Sequence, residues 1–552
     1  MKSRPIHLNP TTMLKRLLLT AFYALLATTT LFSQVYVEKE EYAQKVVPII
    51  KSNLENGNYA AALNDLQTLD SLFPKNPVFS YYTGYAYLNT SGSKNKAIPY
   101  LAKASAFVNP NFKEWNYKES KTPVITIYYL ARAYHLDYKL DSAIANYNKY
   151  KKYVPASDGE TLKDIDRQIE MCNNAKQVFA NPTTAQIENL GPIVNSKYDE
   201  YAPVLDALEN TLIFTSRREG STGGQLADDG KYFEDIYVSN KVNGLWTKPL
   251  PIGDNINTVG HEATISLSAD GEQLFIYRDD MGDGNIYVSK FNGDTWGKPV
   301  KLGNQINTGA RETHASVSAD GNTLYFTSDR EGGYGGMDIY ISKRLPTGDW
   351  GLPLNAGPQI NTKFDEEGPF IHPDGNTLFF SSRGHSSIGG FDIFFSNKMP
   401  EGSWTTPQNI GFPINTADDE YFFTTSPDGK RAYFASSQAG GLGEKDLYLI
   451  SLEMEKEVPL TVYRGYITSA NDVIPSDVTI TVNQNDELYG IYRPNPKTGR
   501  FILILHSGKT YNISYEAKGY MFHSENLEVP LETSYFVINK EVELKAIKPR
   551  SK

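Results

Sequence analysis

The chain of 552 residues contains a single cysteine, Cys172. No intramolecular disulfide can therefore form, and packed hydrophobic cores must supply the stability. Cys172 stands among Leu162, Ile165, Ile169 and Val178 at helical spacing, which predicts a buried thiol in the core of a helical layer rather than a reactive one.

Clustered histidines, excess positive charge and long apolar runs are also lacking. The eight histidines are scattered without metal-ligand spacing, so the sequence predicts no zinc site. The formal net charge of -10 argues against nucleic acid and anionic lipid as general partners. After the N-terminus no run of about 18 apolar residues occurs, so we expect no transmembrane segment in the mature chain.

The N-terminus has the pattern of a secretory signal peptide. A basic stretch ending at Arg16 precedes an apolar run from Leu17 to Ala27, and Leu31-Phe32-Ser33 follows. This order predicts a signal peptide over residues 1–33, cleaved after Ser33, and a mature chain that begins near Gln34. No cysteine lies near the cleavage site, so we expect no lipoprotein anchor.

A ten-residue pattern, Gly-x-x-x-Asn-[Ser/Thr]-x-x-x-Glu, occurs five times. The copies begin at Gly191, Gly253, Gly303, Gly357 and Gly411. Their asparagines are Asn195, Asn257, Asn307, Asn361 and Asn415, and their glutamates are Glu200, Glu262, Glu312, Glu366 and Glu420. Recurrence at intervals of this size indicates a repeat architecture, and such arrays recruit partners more often than they catalyse.

Each copy opens a longer unit with four predicted strands. One follows the motif glutamate, and another follows an Asp-Gly turn, as at Asp320-Gly321. The third carries an Asp-Ile-Tyr theme, and the fourth comes with a tryptophan ahead of the next motif. The recurring landmarks are Asp270, Asp320, Asp374 and Asp428 in the turns, Asp235, Asn285, Asp338, Asp392 and Asp446 in the third strand, and Trp246, Trp296, Trp350 and Trp404. Four short strands are one propeller blade.

The number of blades depends on how the first unit is divided. Residues 187–191 match the outer strand before each later motif, although no blade precedes them, and the last unit, Tyr421 to Leu452, lacks that strand. Pairing the two predicts a closed five-bladed ring over residues 185–455 and leaves no exposed sheet edge in an open array. The alternative is an open ring, or a six-bladed one that borrows a strand from elsewhere.

Residues 36–180 change to helical periodicity. Ala62, Leu66, Leu69 and Pro74 stand at offsets that recur with Ala97, Leu101 and Ala104, and again from Ala143. Small and large apolar residues at these offsets let neighbouring helices pack closely, and proline ends each unit. The pattern resembles three tetratricopeptide repeats (TPR), with an insertion around residues 111–121; a plain helical bundle is the alternative. The candidate interface residues are Tyr81, Tyr82, Tyr85, Tyr128, Tyr129 and Tyr134, and about half of them are expected in the core.

Residues 460–547 predict strands over 462–467, 478–482, 501–505 and 511–515. The run Thr498-Gly499-x-Phe501, followed by Gly508-x-x-Tyr511 and Lys518-Gly519-Tyr520, resembles the carboxypeptidase regulatory-like domain. That resemblance implies a small β-sandwich with a structural or adhesive role.

The propeller units resemble the TolB-type, WD40-like repeat through the Asp-Gly turn, the aromatic strand, Ser328-Asp329-Arg330 and Asp338-Ile339-Tyr340. The whole order is similar to the periplasmic, outer-membrane-associated proteins of Bacteroidota that include PorE-type components of type IX secretion. The resemblance implies an α plus all-β chain: an N-terminal TPR-like α-solenoid, a five-bladed β-propeller and a C-terminal β-sandwich. An OmpA-like domain that typically ends such proteins is not found after the sandwich, so direct peptidoglycan binding is not expected.

We therefore predict an exported, non-enzymatic scaffold that binds protein partners in the cell envelope and needs no cofactor. The alternative is a glycan-binding or glycosidase-like propeller, since five-bladed propellers also house glycosidases that need converging carboxylates. The five motif glutamates occupy equivalent positions, which suits architecture better than asymmetric catalysis. We expect them to cap the turn before the innermost strand and to pair with Arg217, Arg278, Arg330 or Arg383, with a cation site as the alternative.

Two further segments resemble functional motifs. Residues 384–389, Gly-His-Ser-Ser-Ile-Gly, look like a nucleophile elbow with one residue too many, in a place where the other units have glycine-rich turns. The acidic residues of 279–285, and Asp228 and Asp229 with Glu234 and Asp235, offer oxygen ligands of the kind that Ca²⁺ prefers, without a complete twelve-residue loop. We expect solvated turns at both places.

Overall fold

The computed structural model describes residues 37–227, 229–280, 282–437, 440–452, 459–470, 473–531 and 536–547. The predicted signal peptide and its cleavage site lie outside these residues. Within them, no helix combines the length and the apolar composition that crossing a bilayer requires. The chain divides into two compact units, Met1–Thr90 with Asn95–Leu130, and Ser91–Lys94 with Ala131–Lys552.

The first unit is helical. It contains α1 (37–55), α2 (Tyr59–Leu72), α3 (Pro77–Leu88), α4 (Ala97–Ser105) and the part of α5 (Ile125–Leu136) up to Leu130. The side chain of Asn76 caps α3 by accepting a hydrogen bond from the Val78 N–H, and Pro77 fills the first turn. The insertion packs onto the same core as α1 to α3, and the Trp115 ring stacks on Tyr82 at 4.5 Å between centroids.

Two helices of the second unit precede its sheets, α6 (Leu140–Lys151) and α7 (Gly159–Ala180). Asp158 caps α7 by accepting a hydrogen bond from the Thr161 N–H. Cys172 lies on the buried side of α7 with Ile165 and Ala175, and none of the three is exposed to solvent. Burial raises the pKa of the Cys172 thiol to about 12, so the prediction of a buried core thiol is confirmed.

Five antiparallel sheets follow, each with four strands in the order inner to outer. They are sheet 1 with β2 (Glu200–Leu205), β3 (Thr211–Ser216), β4 (Asp235–Val242), β5 (Leu245–Trp246) and, also paired to β4, β6 (Leu250–Pro251); sheet 2 with β7 (Glu262–Leu267), β8 (Gln273–Arg278), β9 (Asn285–Lys290) and β10 (Val300–Lys301); sheet 3 with β11 (Glu312–Val317), β12 (Thr323–Ser328), β13 (Asp338–Lys343) and β14 (Leu354–Asn355); sheet 4 with β15 (Glu366–Ile371), β16 (Thr377–Ser382), β17 (Asp392–Asn397) and β18 (Gln408–Asn409); and sheet 5 with β19 (Tyr421–Thr425), β20 (Arg431–Ser436), β21 (Asp446–Leu452) and β1 (Ala185–Asn189).

The inner strands meet in cyclic order, since β2 contacts β7, β7 contacts β11, β11 contacts β15, β15 contacts β19, and β19 returns to β2. Sheets packed in this way around a central channel form a β-propeller. The last sheet combines both ends of the propeller sequence, because β1 pairs with β21 in the register Ala185↔Leu452 to Asn189↔Tyr448. This is the strand pairing that residues 187–191 predict.

Two sheets end the chain. One has the order β25 (Arg500–His506), β22 (Leu460–Ser469) and β28 (Phe536–Leu544), and the other has β24 (Glu487–Tyr492), β23 (Thr479–Gln484), β26 (Thr510–Glu516) and β27 (His523–Glu528). A common core joins their inner faces. On the outer face of the first sheet, Leu460, Val462, Ile502 and Ile504 pack against Ala207 of the propeller.

These contacts place the terminal sheets over the end of the propeller that carries the Asp-Gly turns. Leu208, Ala269 and Ala319, at the turns of sheets 1 to 3, belong to the same apolar cluster. The Asn495 amide also donates to the Phe291 carbonyl at 3.2 Å. The opposite end, where the inner strands begin, remains for the candidate site.

Candidate functional site

The motif asparagines tie each inter-sheet loop to the sheet before it. Asn361 Oδ1 accepts the Ile339 N–H at 2.8 Å, and its Nδ2 donates to the Ile339 carbonyl at 2.9 Å. The same two bonds join Asn195 to Leu447, Asn257 to Ile236, Asn307 to Ile286 and Asn415 to Ile393. Because both amide atoms are used, these residues serve the fold.

The motif glutamates fold back onto their own turns. Glu312 accepts the Thr308 N–H at 3.0 Å, the Thr308 hydroxyl at 2.9 Å and the Ser328 hydroxyl at 2.8 Å. The turn contacts recur between Ser196 and Glu200, Thr258 and Glu262, Thr362 and Glu366, and Thr416 and Glu420. All five side chains are at least 98% buried. Each carboxylate therefore caps the turn ahead of its inner strand.

Two of the four expected arginine partners are found. Arg330 Nη2 lies 3.1 Å from Glu312 Oε1, and Arg278 Nε lies 3.5 Å from Glu262 Oε1. The pairing predicted for Arg217 is wrong, because Arg218 pairs with Glu200 at 2.9 Å and Arg217 instead binds Asp229. Two adjacent arginines follow Ser216, and only the second has the spacing of Arg330 from Ser328.

The pairing predicted for Arg383 is also wrong. Its guanidinium lies 3.9 Å from Asp419, and Glu366 has no ion-pair partner among the contacts of the described residues. His385 occupies the arginine's place, since its Nε2 lies 2.9 Å from the Ile360 carbonyl, as Arg330 Nη2 lies 2.7 Å from that of Ile306. One additional residue separates His385 from Ser382, which hides the equivalence in the sequence.

Burial controls the protonation of these carboxyl groups. It raises the pKa of Glu200, and it raises the pKa of Glu366 to about 7. The pKa of Glu420 rises well above its usual value, through burial and then through the charge of Asp392. Buried acids with raised pKa values can mark a catalytic site, but structural networks raise them too. Here each acid is enclosed by its own turn.

The inner strands surround a cavity of about 70 Å³. Its lining is mainly alanine, valine, leucine, isoleucine, proline and phenylalanine side chains. Asp206 is the one carboxylate among the lining residues that the structure describes, and it accepts the N–H groups of Asn210 and Thr211 at 2.8 and 2.9 Å. The motif glutamates lie outside this lining.

A polar and aromatic group of residues, which we call the mouth cluster, stands where the inner strands begin. It consists of Tyr201, His314, Glu367 and Phe422. His314 Nδ1 lies 2.5 Å from Glu367 Oε2, and the His314 ring lies 5.1 Å from that of Phe422, which stacks on Tyr201 at 5.9 Å. Phe422 has a φ of 57°, a left-handed conformation that is costly for a bulky residue and concentrates at functional sites.

The sequence reasoning missed the mouth cluster because it followed the positions that repeat. The cluster occupies the two positions after each motif glutamate, which differ from unit to unit: Tyr-Ala, Ala-Thr, Thr-His, Glu-Gly and Tyr-Phe. Comparing the five copies with one another would have shown this variation beside an invariant glutamate. Positions that break the symmetry of a ring are where one specific ligand can be recognised.

The candidate interface tyrosines separate into three groups. Tyr82 is 8% exposed and belongs to the core of the first unit. Tyr81, Tyr85, Tyr128 and Tyr129, which we call the tyrosine patch, are partly buried. Within the patch the Tyr129 ring lies 5.1 Å from Tyr85, 6.4 Å from Tyr81 and 6.2 Å from Tyr128. Tyr134 is partly buried in the second unit.

The candidate calcium residues have protein partners. Asp280 Oδ2 accepts the Tyr287 hydroxyl at 2.7 Å and lies 3.2 Å from the Lys301 ammonium, and Asp229 binds Arg217. Met281 and Asp228 lie outside the described residues. In the described part of the chain, no group of three or more acidic, histidine or cysteine side chains is arranged to hold a metal ion.

The segment that looks like a nucleophile elbow contacts α5 and α7. Arg167 Nη2 donates to the carbonyls of Arg383 and Gly384 at 2.6 and 2.8 Å, and His135 Nε2 lies 2.8 Å from the Ile388 carbonyl. Ser387 is buried, and its hydroxyl donates to the Ser382 carbonyl at 2.9 Å. The segment thus joins helices and propeller within the second unit.

Comparisons with known proteins give a likeness in structure alone. No family model matches the chain, and no curated protein matches it. Among solved structures, a protein described as TolB from Agrobacterium tumefaciens is 16% identical, with 59% of this chain and 98% of that chain covered and a TM-score of 0.30. TolB from Acinetobacter baumannii is 13% identical, with 66% and 68% covered and a TM-score of 0.27.

An α-L-arabinofuranosidase from Lactobacillus brevis is also similar, at 14% identity, with 48% of this chain and 92% of that chain covered and a TM-score of 0.33. The similar structures thus include an enzyme as well as TolB. At these TM-scores the likeness decides nothing about the activity of this chain.

Proposed function

We propose that the protein is an exported, non-enzymatic scaffold for protein partners in a Bacteroidota cell-envelope assembly, such as the type IX secretion and gliding machinery. Its helices would act as TPR-like repeats, its five sheets as a closed five-bladed ring and its last two sheets as a C-terminal sandwich. It would be periplasmic and associated with the outer membrane. N-terminal sequencing of the exported form should give a start near Gln34, and a retained N-terminus or an acylated cysteine would contradict export by this route.

The tyrosine patch is the observation that carries this proposal. Four partly buried tyrosines lie side by side on the first unit, with their rings 5.1 to 6.5 Å apart. Tyrosine offers a large rigid surface and a polar tip at low entropic cost, and it is enriched among the residues that dominate binding energy in protein interfaces. The groove of a TPR-like array typically takes up a helix or an extended peptide.

The motif carboxylates support a scaffold over a glycosidase. A glycosidase needs two carboxylates facing the scissile bond, about 5–9.5 Å apart. The repeated glutamates are instead enclosed by hydrogen bonds from their own turns, as for Glu312. Catalysis by these residues would require that the turns open.

One observation favours the alternative, a glycan-binding or glycosidase-like propeller. The mouth cluster brings a carboxylate, an imidazole and two aromatic rings together at one end of the central cavity, and aromatic and carboxylate groups are suited to sugars. Within the cluster Glu367 is the single carboxylate, and it is engaged by His314 and by the Thr313 hydroxyl. We therefore rank this function second.

Affinity capture from envelopes, followed by mass spectrometry, tests the proposal. A variant that lacks residues 37–130 removes the described part of the first unit and keeps α6 and α7, which Arg167 joins to sheet 4. Deleting as far as residue 180 would also remove Arg167 and expose its binding site on the propeller. We expect the shortened protein to lose its partners. Undiminished recovery of the same partners would assign binding to the propeller or the terminal sheets.

A further inference from the structure

A groove runs between the outer edges of sheets 3 and 4. Its volume is about 610 Å³. Tyr325, Ile341, Ala356 and Trp404 form an apolar floor that is continuous with the core between the two sheets. The groove therefore offers apolar surface already held in place by the propeller.

The rim of the groove exposes leucines to solvent. Leu352 is 75% exposed, Leu354 is 69% exposed and Leu345 is 45% exposed. Single exposed apolar residues need no explanation, but three around an apolar groove form the kind of patch that marks a binding site. Strand β14 is also the outermost strand of its sheet, and an edge strand can pair with an added extended segment.

The same rim carries positive charge in a protein with a formal net charge of -10. Lys343 and Lys398 line the groove. The Lys343 ammonium donates to the Thr323 hydroxyl at 2.7 Å, and neither lysine forms an ion pair in the described part of the chain. Burial and the charge of Lys398 lower the pKa of Lys343, while Asp320 opposes this. Arg344 is nearby, and its pKa is lowered by burial and by Arg493.

We propose that this groove binds an extended, acidic peptide segment of a partner, in which apolar side chains alternate with aspartate or glutamate. Apolar side chains would occupy the floor between Leu352 and Trp404, and carboxylates would meet Lys343 and Lys398. An extended chain suits the site because alternate side chains point to opposite sides. The inference rests on the proposed scaffold function and assigns it a second contact surface, away from the tyrosine patch.

Fluorescence anisotropy with the purified full chain tests this. The probe is a short fluorescein-labelled peptide in which leucine and glutamate alternate, and the matched peptide replaces glutamate by lysine. We expect the glutamate peptide to bind and the lysine peptide to bind at least about tenfold more weakly. Replacing both Leu352→Ser and Leu354→Ser should weaken binding by about tenfold or more, and Lys398→Glu should weaken it and reduce its dependence on salt.

The control is Leu250→Ser in sheet 1, where the leucine is 64% exposed and its loss should leave peptide binding unchanged. Equal affinity of the wild type and the double leucine variant would overturn the proposal, as would equal binding of both peptides. If the leucine variant loses binding to phosphatidylglycerol vesicles while the peptide never binds, the groove is a lipid contact and the peptide assignment is wrong. Failure here leaves partner capture through the tyrosine patch intact, so the two proposals fail separately.

Discussion

Removing the carboxylate of Glu312 should destabilise the propeller. Its side chain is fully buried and accepts hydrogen bonds from the Thr308 N–H, two hydroxyls and the Arg330 guanidinium, at 2.8 to 3.1 Å. Breaking a buried pair leaves an unpaired charge and unsatisfied donors, which costs about 3–5 kcal/mol. We therefore expect Glu312→Ala to lower the unfolding midpoint by about 10 °C or more.

The assay is thermal and urea unfolding of the full chain, followed by circular dichroism and by tryptophan fluorescence, because a chain with several domains need not unfold in one step. Glu331→Ala is the matched control, since Glu331 is exposed and its loss should change stability by no more than about 0.5 kcal/mol. An unchanged midpoint in Glu312→Ala would refute the structural role of the motif. Loss of glycan hydrolysis at an unchanged midpoint would favour the glycosidase alternative.

Glu366 provides an internal comparison, because it has the turn contacts without the arginine. Burial raises its pKa from 4.5 to about 7, so the folded state binds this proton more tightly than the unfolded chain. The stabilisation from this group is full below pH 4.5 and is lost as pH rises through about 7, by about 3 kcal/mol. Glu366→Ala should therefore cost less than Glu312→Ala at pH 8, and the variant should lose less stability between pH 5 and pH 8 than the wild type.

Three further predictions concern single contacts. Asn361→Asp should cost about 1–3 kcal/mol in urea unfolding, because the amide N–H that binds the Ile339 carbonyl is replaced by an oxygen; a stability equal to the wild type would contradict the clasp. Arg167→Ala should raise amide hydrogen exchange in α7 and in residues 383–391 together, and Arg167→Lys should rescue it poorly because one ammonium cannot reach all the same carbonyls; unchanged exchange would show that other contacts hold the helix. The Cys172 thiol, with its pKa raised to about 12, should resist alkylation at pH 8 until urea unfolds the protein, and rapid labelling of the native chain would contradict its burial.

The repeat positions were accessible from the sequence because one physical task recurs in every unit. A glutamate that caps a turn and an asparagine that clasps a backbone each need one residue type at one spacing, so Glu312 and Asn361 stand out. Strands β24, β27 and β28 were not predicted, since in β27, for example, exposed polar residues leave little alternation of apolar side chains.

The candidate sites depend on tertiary contacts that no spacing records. The mouth cluster joins residues of sheets 1, 3, 4 and 5, and the groove joins the edges of sheets 3 and 4. The choice between Arg217 and Arg218 likewise depends on which side chain faces Glu200. Such contacts follow from the order and packing of the sheets, whereas the sequence pattern describes each unit separately.

The most direct test of the central claim compares partner recovery by the wild type and by a full-length variant with Tyr85→Ser and Tyr129→Ser. Tyr153→Ser is the matched control, because Tyr153 is 45% exposed and lies outside the patch. Circular dichroism and melting confirm that each variant is folded before quantitative affinity capture from envelopes. The scaffold account predicts that the double variant loses its envelope partners by about tenfold or more while the control retains them. Equal recovery by the folded double variant would contradict the claim that the tyrosine patch is the interface.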